Sequence, residues 1–384
     1  MHIGIVCEEY PPEVHGGTGT SYRDLAEGLA AHGHRVTVFG VRSSPELLPS
    51  SGCEERGVRV FRLPRTPAWW HYRLRFWWEH HDLNRRIRQV HRSTPLDVIE
   101  CSDYHGWLAE TKLAKVSTIV RIRGSNFFFD RELGRPPSAI VHRIERKCLA
   151  RATHLAAVSR YAGNRTLEIA ELSDRKCTVI HNGVDTARFA PGDPTKIEPG
   201  LVVFVNSLNP KKGIEELIDA ANLVFPSRPS ARLVVIGHDT QHRLGGAYLR
   251  SLKDKVRPDL RDRVVFAGRM DNQDVIPWLQ RAAVCCYPSH METFGIAALE
   301  AMSTGRPVIF MRCGPGPELI EDGVSGLLCD PHDPASIADS LARMLDHPAE
   351  AEAMGQRARD RAIQHFEKSA WISRNVEFFR SCLA

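Results

Sequence analysis

The chain has 384 residues, 42% of them hydrophobic and 25% charged, with 51 basic against 46 acidic side chains and a formal net charge of +5. That length exceeds one ordinary hydrophobic core and predicts two domains. The balance is that of a soluble globular protein, and the mild positive charge is too weak by itself to argue for nucleic acid.

The front half alternates short β-rich runs with helical stretches. "HIGIVC" reads as a first strand, "GTSYRDLAEGLAAHG" as a helix closed by Gly33, and "HRVTVFG" as a second strand. "LDVIECS", "STIVRIRG", "THLAAVS" and "KCTVIHNG" continue the strand series. Such alternation predicts a parallel sheet covered on both faces. The Pro- and Gly-rich "APGDPTKIEPG", residues 190–200, reads as a linker. A second series follows in "LVVFVNS", "RLVVIGH", "RVVFAGR", "AAVCCYPS", "RPVIFMRC" and "GLLC", and a last helix begins near Trp371. The expected fold class is α/β, with two doubly wound domains facing across a cleft. The expected boundaries are 1–190 (completed by a C-terminal helix, 368–384) and 191–367. Ligands of open α/β sheets bind at the carboxyl ends of strands where the strand order reverses, so the chemistry is expected in loops that follow strands.

The ten cysteines include no C-x-x-C pair, and most sit in apolar strand-like runs. Buried free thiols in a reducing, cytoplasmic compartment explain them best. The apolar start is too short for a signal peptide, and no run approaches the ~18 apolar residues of a spanning helix.

"METFGIAALEAMSTG", residues 291–305, puts a glutamate near each end of an apolar segment. The turn "METFG" followed by the helix "IAALEAMSTG" would aim the backbone N–H groups near Phe294, Gly295 and Ile296 out of a helix N-terminus, an anion site suited to phosphate. On a single helix Glu292 and Glu300 would stand ~12 Å apart along the axis and roughly 80° around it. They could then hold two parts of one elongated ligand, such as a nucleotide sugar. A helix-start glutamate that favours the dipole, and a solvated Glu300, explain the spacing alone more simply.

Six stretches in order, this one among them, resemble glycosyltransferase family four, retaining enzymes of the GT-B architecture. They are "EEYPPEVHGGTGTSYRDLAEGLAAHGHRVTVFG", "AAVSRYAGNRTLE" with "VIHNGVDTARFAP", "NPKKGIEELIDA", "YPSHMETFGIAALEAMSTGRPVI" and "GPGPELIEDGVSGLL". The resemblance implies that Glu300 binds the ribose hydroxyls and Glu292 the hydroxyls of the donor sugar. The amides of Phe294, Gly295, Ile296 and Ala297 would hold sugar hydroxyls and the diphosphate, and Lys212, with Lys211 beside it as the alternative, would neutralise the leaving diphosphate. It places Gly16, Gly17 and Thr18 on the diphosphate or at the acceptor pocket, and the base near Arg269 and Met270. It implies a nucleoside diphosphate sugar (UDP- or GDP-) as substrate, no cofactor, no metal and no nucleic acid. The acceptor would be a small molecule, a glycan or a lipid-linked sugar.

Two positions depart from the family pattern. Asn206-Ser207 stands where the family has Gly-Arg, and Arg123 precedes Gly124 where the family often has histidine. Arg123 could meet a phosphate instead, and Ser207 leaves Lys212 without its usual arginine partner. These departures motivate a rival reading, a nucleotide-sugar-binding protein without turnover. A phosphorylase or an epimerase of the same architecture is a second rival. A nicotinamide dehydrogenase is excluded, since no tight G-x-G-x-x-G follows the first strand.

Residues 62–92 carry Trp69, Trp70, Trp77 and Trp78, eight arginines and only two acids, Glu79 and Asp82. A helix packing its aromatics, an acceptor pocket for an anionic substrate, and peripheral contact with an anionic membrane are the three readings of that composition.

Overall fold

The computed structural model describes residues 1–13, 16–66, 72–239 and 247–383. The chain divides into two compact units, Met1–Gly183 with Ser369–Ala384, and Val184–Lys368. The change of unit falls at 183/184, so residues 190–200 belong to the second unit instead of bridging two.

The first unit is built on an eight-stranded sheet, in the order β3-β4-β2-β1-β5-β6-β7-β8. Its strands are β1 (His2–Cys7), β2 (Arg35–Ser43), β3 (Cys53–Glu55), β4 (Val58–Pro64), β5 (Val98–Ser102), β6 (Ser117–Ile122), β7 (His154–Ala157) and β8 (Thr178–Val179). All neighbours are parallel except β3, which runs antiparallel to β4 at the sheet edge. The β1 run is buried at every residue, as a parallel strand with both faces covered must be. β3 and β4 add to the strands that the sequence pattern predicts. "VRVFRLP" carries the β-branched signal, and Gly57, at φ 79°, makes the turn before it.

The last helix, Lys368–Ser381, returns to the first unit. Trp371, Ile372, Val376, Phe378 and Phe379 complete its core beside Ile3, Ile5, Tyr22 and Leu25. Gly28 makes room for this helix, since a Cβ there would lie 2.4 Å from Ile372 Cδ1. Beneath it Arg121 donates to both oxygens of Glu100, at 2.6 and 2.8 Å, and to Asn375 Oδ1 at 2.7 Å. The pair is fully buried, and each charge is tolerated there because the other satisfies it.

The second unit holds a six-stranded parallel sheet, β11-β10-β9-β12-β13-β14. Its strands are β9 (Leu201–Val205), β10 (Arg232–Ile236), β11 (Val264–Gly268), β12 (Val284–Tyr287), β13 (Val308–Met311) and β14 (Leu327–Cys329). Chain order runs outward from β9 to β11 on one side and from β12 to β14 on the other. The reversal therefore lies between β9 and β12. In the first unit it lies between β1 and β5.

All ten cysteines are free thiols, and seven of them are buried. Among the described residues no helix is long and apolar enough to cross a membrane. Of residues 62–92, Trp69 and Trp70 lie outside the described residues. The rest include the helix Tyr72–Ser93, which buries Phe76, Leu83 and Ile87 and leaves Leu74 60% and Trp77 64% exposed.

Candidate functional site

In the second unit the loops leaving β9 and β12 meet at the point where the strand order reverses. The β9 loop turns at Asn209, whose side chain accepts from the Lys211 N–H at 3.2 Å, and ends on Gly213 at φ 68°. A Cβ at Gly213 would stand 1.8 Å from the Pro288 carbonyl oxygen, so only glycine lets this loop lie against the β12 exit. The Lys211 carbonyl accepts the His290 N–H at 2.9 Å and fixes the contact. The result places Lys212 Nζ 2.6 Å from Glu292 Oε1, which also accepts from Ser289 Oγ at 3.1 Å. The side chains of Lys212 and Glu292 are 13% and 14% exposed. An ammonium has three donors, so two remain for a ligand once Glu292 has taken one.

Beyond Glu292 the chain buries Phe294 against Phe366, ring centroids 5.9 Å apart, and turns at Gly295 with φ 104°. A Cβ at Gly295 would meet Phe310 Cζ at 2.6 Å. The helix Ile296–Ser303 opens there with no side-chain cap, Ile296 and Ala297 half-buried in its first turn. Its N–H groups carry the positive end of the helix dipole. Glu300 stands half-buried inside it, and its charge helps to push the buried Tyr287 hydroxyl upward after burial itself. Glu292 precedes this helix, so the two glutamates do not share the single helical frame that the spacing considered.

A second pair braces the lysine loop. His290 Nε2 lies 3.1 Å from Glu216, and its ring lies tilted beside that of His332, centroids 4.4 Å apart. The Glu216 carboxylate beside it holds the His290 pKa above its ordinary value, against the opposing effect of burial. Ser207 follows β9, half-buried, its N–H donating to Asn206 Oδ1 at 3.0 Å. Arg269, exposed, and Met270 follow β11, the edge strand, two strands away from β9.

In the first unit Gly16 and Gly17 are exposed and Thr18 half-buried at the uncapped start of the helix Gly17–Ala31. Glu9 shapes this loop by accepting the Gly16 N–H at 3.0 Å. Arg123 is 7% exposed. Its Nη1 donates to Ser21 Oγ and Asn182 Oδ1, each at 3.1 Å, and its guanidinium lies 4.4 Å from the Tyr22 ring centroid. Its Nε and Nη2 are buried and unmatched by any acceptor among the described residues. Asp103 accepts the Arg123 and Gly124 N–H groups, and burial pushes its carboxyl up to about 6.

Two family models match in tandem. Glycosyltransferase Family 4 covers residues 15–188, and Glycosyl transferases group 1 covers residues 189–361. The chain belongs to glycosyltransferase family four. This glycosyltransferase is 29% identical to a glycogen synthase of Mycobacterium tuberculosis over 394 residues, covering 96% of this chain and 91% of that one. A D-inositol 3-phosphate glycosyltransferase of Frankia alni is 28% identical over 363 residues, 87% of this chain and 86% of the other. Among solved structures, sucrose-phosphate synthase from Thermosynechococcus elongatus superposes with a TM-score of 0.82 at 23% identity, covering 99% and 98% of the two chains. HepE of Anabaena, in complex with UDP, gives 0.79 at 20% identity, covering 99% and 100%. Both share the fold, GT-B.

Within the second unit the glycosyltransferase thus joins Lys212 to Glu292 and sets both beside the turn 294–297. Gly16, Gly17, Thr18 and Arg123 belong to the first unit. Sequence reasoning missed Ser289, the His290–Glu216 pair, Asp103 and Asn182. Ser289 and His290 sit inside a quoted motif. Asn182 and Arg123 are 59 residues apart, a contact that no local pattern encodes.

Proposed function

We propose that this glycosyltransferase moves a hexosyl group from a nucleoside diphosphate sugar, a UDP- or GDP-sugar, to an acceptor hydroxyl with retention and without a metal ion. The observation that carries the reading is the Lys212–Glu292 pair, at the strand-order reversal and beside the uncapped helix Ile296–Ser303. A diphosphate needs donors and positive charge, and the lysine with the helix N–H groups supplies both. Sugar hydroxyls need acceptors, and Glu292 and Glu300 supply them. As the anomeric C–O bond breaks, its electron pair passes to the diphosphate, and Lys212 stabilises the growing charge more in the transition state than before it. The acceptor oxygen forms the new bond on the same face, and its proton goes to the departing diphosphate oxygen. The arginine-rich helix Tyr72–Ser93, with Leu74 and Trp77 exposed, would hold the enzyme on an anionic membrane surface.

The relatives are named for acceptors of very different size, glycogen for one and D-inositol 3-phosphate for another, which supports keeping both a glycan and a small molecule as candidates. Calorimetric titration with UDP-, GDP-, ADP- and TDP-sugars, alongside nucleotide release, tests the reading. Selective binding with nucleotide release supports a transferase. Binding without any release under every acceptor tried would favour the non-catalytic rival that Ser207 and Arg123 motivate. Release only in the presence of inorganic phosphate would favour a phosphorylase. For the membrane contact, anionic vesicles should retain the protein in sedimentation and lose it on Trp77→Ala; no retention of the intact chain removes that part.

A further inference from the structure

The carboxyl ends of β2, β1 and β5 lie side by side in the first unit, and β1 and β5 flank its own strand-order reversal. Three polar side chains from those ends converge. Glu8 directly follows β1, Arg42 is the penultimate residue of β2, and His105 lies just past β5. Glu8 Oε1 accepts from His105 Nδ1 at 2.5 Å and from Trp107 Nε1 at 2.7 Å. Glu8 Oε2 lies 3.5 Å from Arg42 Nη1, which itself stands 3.1 Å from His105 Nδ1 and 3.4 Å from Nε2. Arg42 Nε is anchored on Glu79 at 2.9 Å.

Two of the five non-glycine residues at positive φ among the described residues are in this cluster. Arg42 and His105 both occupy the left-handed region, at φ 58° and 60°, which side-chain-bearing residues rarely adopt. At Arg42 the β2–β4 register shifts, a bulge that re-aims the side chain. At His105 the strain is held by Glu145, whose buried carboxylate accepts the His105 N–H at 2.8 Å together with the Asn126 and Phe127 N–H groups. Two strained residues converge on one carboxylate at a strand-order reversal. Strain of that kind survives where the surroundings over-determine it, and it concentrates at ligand sites.

The cluster also has capacity to spare. A carboxylate offers about four lone-pair sites. Oε1 uses two, and Oε2 meets Arg42 only at a long distance. His105 Nε2 is met by Arg42 Nη1 only at the long distance of 3.4 Å. Side-chain exposures of 20%, 16% and 11% for Glu8, Arg42 and His105 leave the group within reach of solvent. Tyr104 stands edge-on to His105 at 4.2 Å and supplies an aromatic wall. Two acceptors, one guanidinium and an aromatic face match adjacent hydroxyl groups on a ring. A phosphate facing Glu8 would be repelled.

We propose that Glu8, Arg42 and His105 form the subsite that holds vicinal hydroxyls of the sugar or polyol receiving the glycosyl group. This rests on the transferase reading and names the acceptor's contact residues in the first unit.

The test uses the full chain with the donor that calorimetry selects. The acceptor probes are glucose, maltose, myo-inositol, their phosphorylated counterparts, and simple alcohols without vicinal hydroxyls. Glu8→Gln and His105→Asn are compared with the wild type. Asparagine tolerates the left-handed backbone, so His105→Asn should keep the thermal midpoint. The expected result is an acceptor KM raised about tenfold or more by each variant, the size of one to two lost hydrogen bonds, with calorimetric donor affinity unchanged. A folded His105→Asn protein with the wild-type acceptor KM overturns the subsite. So does a wild type that uses only acceptors without vicinal hydroxyls, or none of the probes. Absence of any nucleotide-sugar binding by the wild type overturns the transferase reading itself, and the two failures are thereby told apart.

Discussion

At the residue scale the candidate donor site rests on two glycines and one ion pair. Gly213 brings Lys212 against the β12 loop, and Gly295 starts the helix whose N–H groups carry no side-chain cap. Lys212→Ala should lower kcat by about 10²- to 10³-fold, the range seen when one group stabilising developing charge is removed, with a smaller effect on donor affinity. Glu300→Ala should instead weaken donor binding by roughly tenfold, about 1.4 kcal/mol, with kcat closer to wild type. Steady-state kinetics and calorimetry on both variants separate the two roles, and equal effects on kcat and affinity would refute the assignment. The His290–Glu216 pair makes a pH prediction. The folded His290 pKa is raised, so its stabilising contribution is complete below the unfolded value of about 6.5 and fades as pH rises through the higher folded value. Denaturant midpoints followed from about pH 6 to about pH 9 should therefore show a decline that is shallower in His290→Gln.

At the scale of elements the first sheet depends on a charge pair that no sequence pattern announces. Glu100 and Arg121 sit on adjacent parallel strands in register Glu100↔Ile119 and Ser102↔Arg121, and Asn375 reaches them from the last helix. Glu100→Ala leaves a buried guanidinium uncompensated and should cost about 3–5 kcal/mol in chemical denaturation. A loss below about 1 kcal/mol would mean that Asn375 and water suffice for Arg121. The strand series of both halves was legible because parallel strands covered on both faces read as continuous apolar runs. The strands β3 and β4 were not, because β3 is a three-residue, largely exposed edge strand and Arg59 and Arg62 interrupt the apolar run of β4, "VRVFRLP". Helix stops were legible where a glycine marks them, as Gly33 and Gly305 do at φ 78° and 74°.

At the scale of the molecule the last sixteen residues decide whether the first unit has a core. Trp371, Ile372, Val376, Phe378 and Phe379 are all buried there. At about 1.5–3 kcal/mol for each buried large apolar side chain, their sum rivals the whole stability of a typical domain. A chain ending at Lys368 should lose the calorimetric transition of the first unit and keep that of the second, Val184–Lys368, which contains none of these residues. A truncated chain with both transitions intact would show that the helix is dispensable.

The sequence by itself determined the fold class, the two alternating α/β series, the family, and the short stretches in which the candidate residues lie. Those features are local: burial period, turn glycines, and motif order are written within a few residues of one another. Tertiary structure decided which of two neighbouring lysines meets Glu292, a partner 80 residues away. It decided that the linker-like stretch 190–200 belongs to the second unit, and that Arg123 stacks on Tyr22. It also brought Glu8, Arg42 and His105 to one point. Side chains from the ends of different strands become neighbours only once strand order and register are set. Those are settled by burying apolar faces across the whole sheet, a sum over distant residues that no single stretch contains.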